Sequence, residues 1–177
     1  MKIMQEKKIA RKNIYSGQII DVYQDQVEFP NKKQSSREVV KHSGGVSIIA
    51  ENEAGKVLMI KQYRYPVDEI IYEIPAGKLE AKEELLDCAK RELREETGYT
   101  AQKFKKLFEF YPTPGYSSET IYIYQAQDLS FVGRDLDEGE YIEVVPKTKS
   151  ELKELFQAGK IKDSKTLIAV MHYLGDF

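Results

Sequence analysis

Between Gly77 and Tyr99 the chain reads GKLEAKEELLDCAKRELREETGY, which puts the carboxylates of Glu92, Glu95 and Glu96 within about one turn of a single predicted helix. Leu85, Leu86, Ala89 and Leu93 recur at helical spacing, Glu83 and Glu84 are expected in the first turn, and Gly98 is expected to stop the helix. With about 100° per residue and Leu85 at zero, the apolar arc spans zero to about 100°. Asp87, Lys90, Arg91 and Arg94 fall opposite and are expected to form the solvated face. Glu96 at about 20° and Glu92 at about 340° lie in or beside the apolar stripe, so both are expected to point into the protein, with Glu95 further round.

Three anions at the C-terminal end of a helix repel one another and oppose the negative end of the helix dipole, at a cost of about 0.3–1 kcal/mol each. An ordinary charged helix is the plain alternative in a chain that is 32% charged. An oxygen-rich cluster at this spacing instead suits a hard cation, Mg²⁺ or Mn²⁺.

Other chemistries find little support. His42 and His172 are the two histidines and Cys88 the single cysteine, which leaves no His/Cys grouping for zinc, no good basis for a Ser-His-Asp hydrolase and no intramolecular disulfide. Cys88 projects near the flank of the motif helix and is expected to pack there. No GxxxxGK[ST] loop or GxGxxG is present, and Gly44-Gly45 is expected to be a turn or strand-start feature. A net charge of −2 gives no electrostatic footprint for nucleic acid or anionic membrane. No apolar run reaches the roughly 18 residues of a membrane span, and the opening MKIMQEKKIARK lacks the apolar stretch of a signal peptide, so a cytoplasmic location is expected.

At 177 residues and 41% hydrophobic, the chain suits one domain with room for a small appendage. Gln18 to Phe29 alternates loosely up to Pro30-Asn31, and Arg37 to His42 resumes the pattern, which suggests a hairpin or small sheet in the first forty or so residues. Further strands are expected over Val46 to Ala50, Val57 to Tyr63, Ile70 to Ile74, Lys105 to Tyr111, Thr120 to Gln127 and Tyr141 to Val145. Helices are expected over Lys149 to Gln157 and Ser164 to Leu174, the latter capped by Asp163 or Ser164.

Gly77, Glu83, the run Arg91-Glu92-Leu93-Arg94-Glu95-Glu96, Gly98 and the aromatic Tyr99 stand at the spacing of the Nudix box, which this segment resembles without a mismatch. The resemblance implies the α/β fold of that family, an α/β/α sandwich around a mixed sheet, here with an N-terminal β extension. Residues 1–43 would form the extension and 44–177 the Nudix hydrolase domain. It also implies a Mg²⁺-dependent hydrolase, with Mn²⁺ as a possible substitute, that cuts the pyrophosphate of a nucleoside diphosphate linked to another group. By the same resemblance Glu92 and Glu96 are the main metal ligands, Glu95 is an additional one, the Ala76 carbonyl contributes, and Glu83 and Arg91 support the motif.

Outside the box the chain is most similar to the ADP-ribose pyrophosphatase branch. Thr113-Pro114-Gly115 with Glu119 beyond it, Lys61-Gln62-Tyr63-Arg64, Tyr72-Glu73-Ile74-Pro75-Ala76-Gly77 and the weaker Ser36-Arg37-Glu38-Val39-Val40 carry that likeness. It implies substrate contacts from Arg37, Arg64, Pro114, Gly115 and Glu119, with Arg64 the better candidate for the diphosphate because a guanidinium fork matches its oxygens. Read by themselves, Arg37 is equally a strand surface residue and Pro114-Gly115 equally a tight turn.

The acidic segment 133–141 resembles the loop that brings a glutamate over the metals in this branch. Glu140 is the closest match for the general base and Glu138 the alternate. The implied reaction is attack of metal-activated water on ADP-ribose, releasing AMP and ribose 5-phosphate, with Glu140 taking the proton. The chain has no tryptophan, so any base stacking would fall to Tyr15, Tyr63, Tyr65 or Phe29. A homodimer is implied by analogy. Other Nudix substrates, such as a nucleotide sugar, FAD or NADH, are alternatives, as is a non-catalytic ADP-ribose sensor.

Overall fold

The computed structural model describes residues 5–134 and 141–175, which form two compact units. The N-terminal unit comprises residues up to Gly44 together with Tyr111–Thr120. Its strands β1 (Lys7–Ser16), β2 (Asp21–Glu28) and β3 (Gln34–Lys41) make an antiparallel meander in the order β1-β2-β3. Sequence periodicity does not foresee β1, because every one of its residues is exposed and no core face imposes an alternation. Residues 111–120 join this unit through a bridge of Val40 with Ser117, the Val40 N–H donating to Tyr116 O at 2.8 Å and the Ser118 N–H to Val40 O at 2.9 Å.

The larger unit holds the remaining elements. Its strands are β4 (Gly45–Ala50), β5 (Lys56–Val57), β6 (Ile60–Arg64), β7 (Glu69–Glu73), β8 (Ala76–Lys78), β9 (Tyr99–Phe110), β10 (Ile121–Phe131), β11 (Ile142–Val144) and β12 (Lys147–Thr148). Its helices are α1 (Leu85–Thr97), α2 (Lys149–Gln157) and α3 (Ser164–Leu174). The main sheet runs β8-β4-β10-β9 and is mixed, since β4 and β10 are parallel while β8 and β9 pair antiparallel at its edges. An antiparallel sheet β11-β6-β7 and the pair β12-β5 complete the unit.

Alternation along β4 explains the layering. Val46, Ile48 and Ala50 pack with Cys88, Ala89 and Leu93 of α1, whereas Ile49 joins Ile121, Ile123, Leu152, Ala169, Val170 and Leu174 in the core beneath α2 and α3. Apolar residues thus cover both faces, as the expected α/β/α sandwich requires.

Several boundaries differ from the sequence expectation for identifiable reasons. The apolar run 57–63 is two strands, because Val57 belongs to the pair with β12 while β6 lies between β7 and β11. Strand β9 starts at Tyr99, immediately after the helix stop, through polar residues whose weak alternation hides it. Its register steps from Ile123↔Phe108 to Tyr124↔Lys106, leaving Leu107 as an extra residue in the ladder. Gly98 ends α1 at φ 80°, where a side chain would be strained. The start of α1 is Leu85, so Glu83 and Glu84 precede the helix rather than occupying its first turn. Asp163 caps α3, accepting the Thr166 N–H, and Thr148 caps α2 in a reciprocal box with Glu151.

Candidate active site

The carboxylate cluster stands where α1 meets the strand β8. Leu93 is fully buried on α1, and this anchors the helix so that Glu92 and Glu96, 8% and 3% exposed, turn toward the sheet while Glu95 stays half-buried. The Glu92 carboxylate lies over Gly77 so closely that a Cβ there would stand 1.8 Å from Glu92 Oε1. Glycine is therefore required at 77 by a carboxylate rather than by a turn. Glu96 Oε2 accepts the Ala76 N–H at 2.8 Å, tying the helix to the strand residue whose carbonyl is expected to help hold a cation.

Arg91 departs from the expectation of a solvated face. Its Nε donates to Glu83 Oε1 at 2.8 Å and its Nη2 to Glu83 Oε2 at 3.0 Å, while its Nη1 donates to Glu92 at 2.7 Å and Glu95 at 3.0 Å. A further bond runs from Nη2 to Lys78 O at 3.2 Å. A helical projection places the Cα but cannot show that a long side chain folds back along the helix toward acidic neighbours. Glu83 explains its own position outside the helix: one oxygen also accepts the Glu80 N–H at 3.0 Å, and Arg91 together with that bond holds its carboxyl at about 2, well below the usual 4.5. The Arg91 guanidinium is held in its charged form by Glu83 first and then by Glu92 and Glu95. Cys88 is buried with its thiol 3.6 Å from Lys78 O, and burial pushes its pKa up, so it packs there as an inert group.

Arg64 belongs to the same unit but is engaged differently from a free diphosphate contact. Its Nε and Nη2 donate to the buried Glu73 at 2.6 and 2.8 Å, leaving the Nη1 end of a side chain that is 40% exposed. Its charge also feels Glu96, which puts it in electrostatic range of the carboxylate cluster. Glu73, Lys165 and Thr166 received no role from the sequence, and Asp163 only that of a candidate helix cap. The available signal was a charged residue, Glu73, at the end of an otherwise apolar strand before Pro75.

The remaining expected residues lie in the N-terminal unit. Arg37 pairs there with Glu6 at 2.5 and 3.0 Å and also bonds Ser35 and Ser36 O. Pro114 and Gly115 are exposed and lie in a turn closed by the Tyr116 and Ser117 N–H groups on Thr113 O. Among the described residues nothing stands within 4 Å of a Cβ placed on Gly115. Glu119 approaches His42 Nδ1 at 3.7 Å, a nitrogen that already accepts the Gly44 N–H at 3.0 Å. Glu138 and Glu140 lie outside the described residues.

Among the described residues no three acidic, histidine or cysteine side chains converge at metal-holding distance. The donor set nonetheless fits a hard cation: its atoms are all oxygen, three of its glutamates share one helix end, and Gly77 leaves open the space that Glu92 occupies.

The Glu83–Arg91 pair generates a pH prediction. A carboxyl depressed from 4.5 to about 2 contributes stability that is fully present above the unfolded value and is lost as pH falls through the folded one. Glu83→Gln should therefore be less stable than the parent in urea at pH 7, with the gap narrowing as the pH is lowered from 4.5 toward 2. A gap that stays constant over that range would contradict the assignment.

The chain is similar to known proteins over most of its length. An ADP-ribose pyrophosphatase of Bacillus subtilis (strain 168) is 45% identical over 97% of this chain and 94% of its own length. A methanol dehydrogenase activator of Bacillus methanolicus is 40% identical, again over 97% and 94%. An ADP-ribose pyrophosphatase of Mycobacterium tuberculosis is 38% identical over 71% of this chain and 61% of its own. A crystal structure of an ADP compounds hydrolase shares the fold, with a TM-score of 0.84 over 99% of this chain and 97% of the other at 21% identity. Residues 41–166, which include the whole glutamate cluster and strand β8, match the NUDIX domain, and the chain belongs to the NUDIX family.

Proposed function

We propose that this chain is an ADP-ribose pyrophosphatase, a Mg²⁺-dependent hydrolase that cleaves ADP-ribose to AMP and ribose 5-phosphate. The observation that carries the chemistry is the packing of Glu92 over Gly77 and of Glu96 on Ala76 at one end of α1. The substrate follows from the relative, 45% identical over nearly the full length, that bears this name. Glu92 and Glu96, with Glu95 and the Ala76 carbonyl, would hold the cation. When bound, a divalent cation offsets the charge of the diphosphate and lowers the pKa of water to make a nucleophile.

The protein's own groups do the positioning. Arg91 restrains Glu92 and Glu95 against mutual repulsion, and Glu96 is oriented by the Ala76 N–H. Arg64 would present its Nη1 end to the diphosphate and bind it through a charge-assisted contact. Arg37, Pro114, Gly115 and Glu119 remain the proposed contacts from the N-terminal unit, Arg37 exchanging Glu6 for substrate. Glu140, or Glu138 in its place, is proposed to take the proton from the attacking water. A cytoplasmic location suits such a metabolite enzyme, and among the described residues no helix is long and apolar enough to cross a membrane.

The N-terminal β unit is proposed to pair with a second copy. Ile9, Ile14, Tyr15 and Ile19 are exposed on it, and β1 is an edge strand with no residue buried, a surface that pairing would cover. Sedimentation at micromolar concentration should give a dimer; a monomer would contradict the pairing.

The functional reading is tested by incubating the protein and Mg²⁺ with ADP-ribose, ADP-glucose, GDP-mannose, FAD and NADH, with and without EDTA. Fastest release of AMP from ADP-ribose, abolished by the chelator, is expected. Preference for another compound would overturn the substrate, and chelator-resistant turnover the metal. Gly77→Ala should keep its cooperative melting, because the clash is with the end of a side chain, yet lose about 100-fold or more in activity as Glu92 is displaced.

A further inference from the structure

Glu73 ends β7 and is 1% exposed. A carboxylate so buried needs cationic partners, because an unpaired charge taken out of water is strongly disfavoured. Two are present: Arg64, through its bidentate fork, and Lys165 Nζ at the start of α3. Burial alone pushes the Glu73 pKa up; Arg64 and Lys165 outweigh it and hold the group below its ordinary value. Lys165 is itself only 13% exposed and bonds Asp163 Oδ1 at 2.9 Å, so the cap residue of α3 fixes where its ammonium stands.

The next residue continues the grip. Thr166 Oγ1 accepts the Ile74 N–H at 3.0 Å and donates to Asp163 Oδ2 at 2.6 Å. From the other side, Glu96 of α1 accepts the Ala76 N–H. The segment from Glu73 to Ala76 is thus pinned between two helices, and it carries both the anchor of Arg64 and the carbonyl assigned to the cation.

We propose that Lys165 is a positioning residue for substrate binding: by sharing the buried Glu73 carboxylate with Arg64, it sets the stance of the guanidinium and keeps its Nη1 end directed at a diphosphate. The inference rests on the reading of Arg64 as the diphosphate contact. Lys165 stands between two carboxylates, Glu73 and Asp163, and shares Glu73 Oε2 with Arg64 Nη2, so it fixes the carboxylate on which the Arg64 fork rests. Without it, Arg64 alone must neutralise Glu73, and the fork loses the third group that fixes its orientation. The Arg64 contact is made alike to the diphosphate of the bound substrate and to that of the transition state, so its misplacement weakens both equally: KM should move and kcat should not.

The test is steady-state kinetics with Mg²⁺ and ADP-ribose, or the compound that the substrate panel prefers, for K165M, K165R, R64M and the double variant K165M/R64M, each with its melting curve. K165M is expected to raise KM about tenfold with kcat within about twofold, the scale of one charge-assisted hydrogen bond. K165R should recover most of that loss, because it restores the charge. R64M should raise KM at least as much, and adding K165M to it should change nothing further. K165Q, which keeps a donor without the charge, serves the same comparison if K165M does not melt cooperatively. An unchanged KM in a folded Lys165 variant, or an equal further rise on the R64M background, overturns the positioning role while leaving Arg64 as the contact. An unchanged KM in R64M overturns the reading of Arg64, and the inference with it.

Discussion

The arrangement depends on the Arg91 guanidinium, which holds three glutamates, Glu83, Glu92 and Glu95, at 2.7 to 3.0 Å. Carboxylates gathered at the negative end of a helix repel each other and the helix dipole. A planar fork with five donors can satisfy several at once with fixed geometry, which a lysine ammonium cannot. Glu83 takes both Nε and Nη2, and its own place is fixed by the Glu80 N–H, so Arg91 is aimed before it meets Glu92 and Glu95. The cluster is prepared by ion pairing outside the donor set itself.

That electrostatic device works because the packing beneath it is rigid. Both faces of β4 are buried, with α1 on one and α2 and α3 on the other, so the strand and α1 are locked in mutual register. The segment 73–76 between β7 and β8 then inherits two attachments, Glu96 from α1 and the Asp163–Lys165–Thr166 turn from α3. A main-chain carbonyl can serve as a ligand only if the chain around it is held still, and Glu96 fixes the peptide just before the Ala76 carbonyl by accepting the Ala76 N–H. Buried ion pairs such as Glu73 with Arg64 and Lys165 add little net stability, but removing one partner is costly; their value here is orientation.

Much of this was legible in the sequence. The inward placement of Glu92 and Glu96, the stop at Gly98 and the helix over Lys149–Gln157 follow from helical periodicity and capping chemistry, which are local. What periodicity misread was Arg91, because a projection follows Cα positions and not the path of a long side chain. What it could not reach were partnerships across many residues: Glu73 with Lys165, Ile74 with Thr166, and Val40 with Ser117. Strand β1 stayed hidden for the opposite reason, since a fully exposed strand leaves no pattern to read.

The proposed role of the α1 glutamates in holding a divalent cation is tested by titrating the protein with Mn²⁺ and following it by electron paramagnetic resonance, comparing the parent with E92Q and E96Q. Saturable Mn²⁺ binding to the parent and a loss of affinity of about tenfold or more in each folded variant are expected. Unchanged Mn²⁺ affinity in both variants would contradict it.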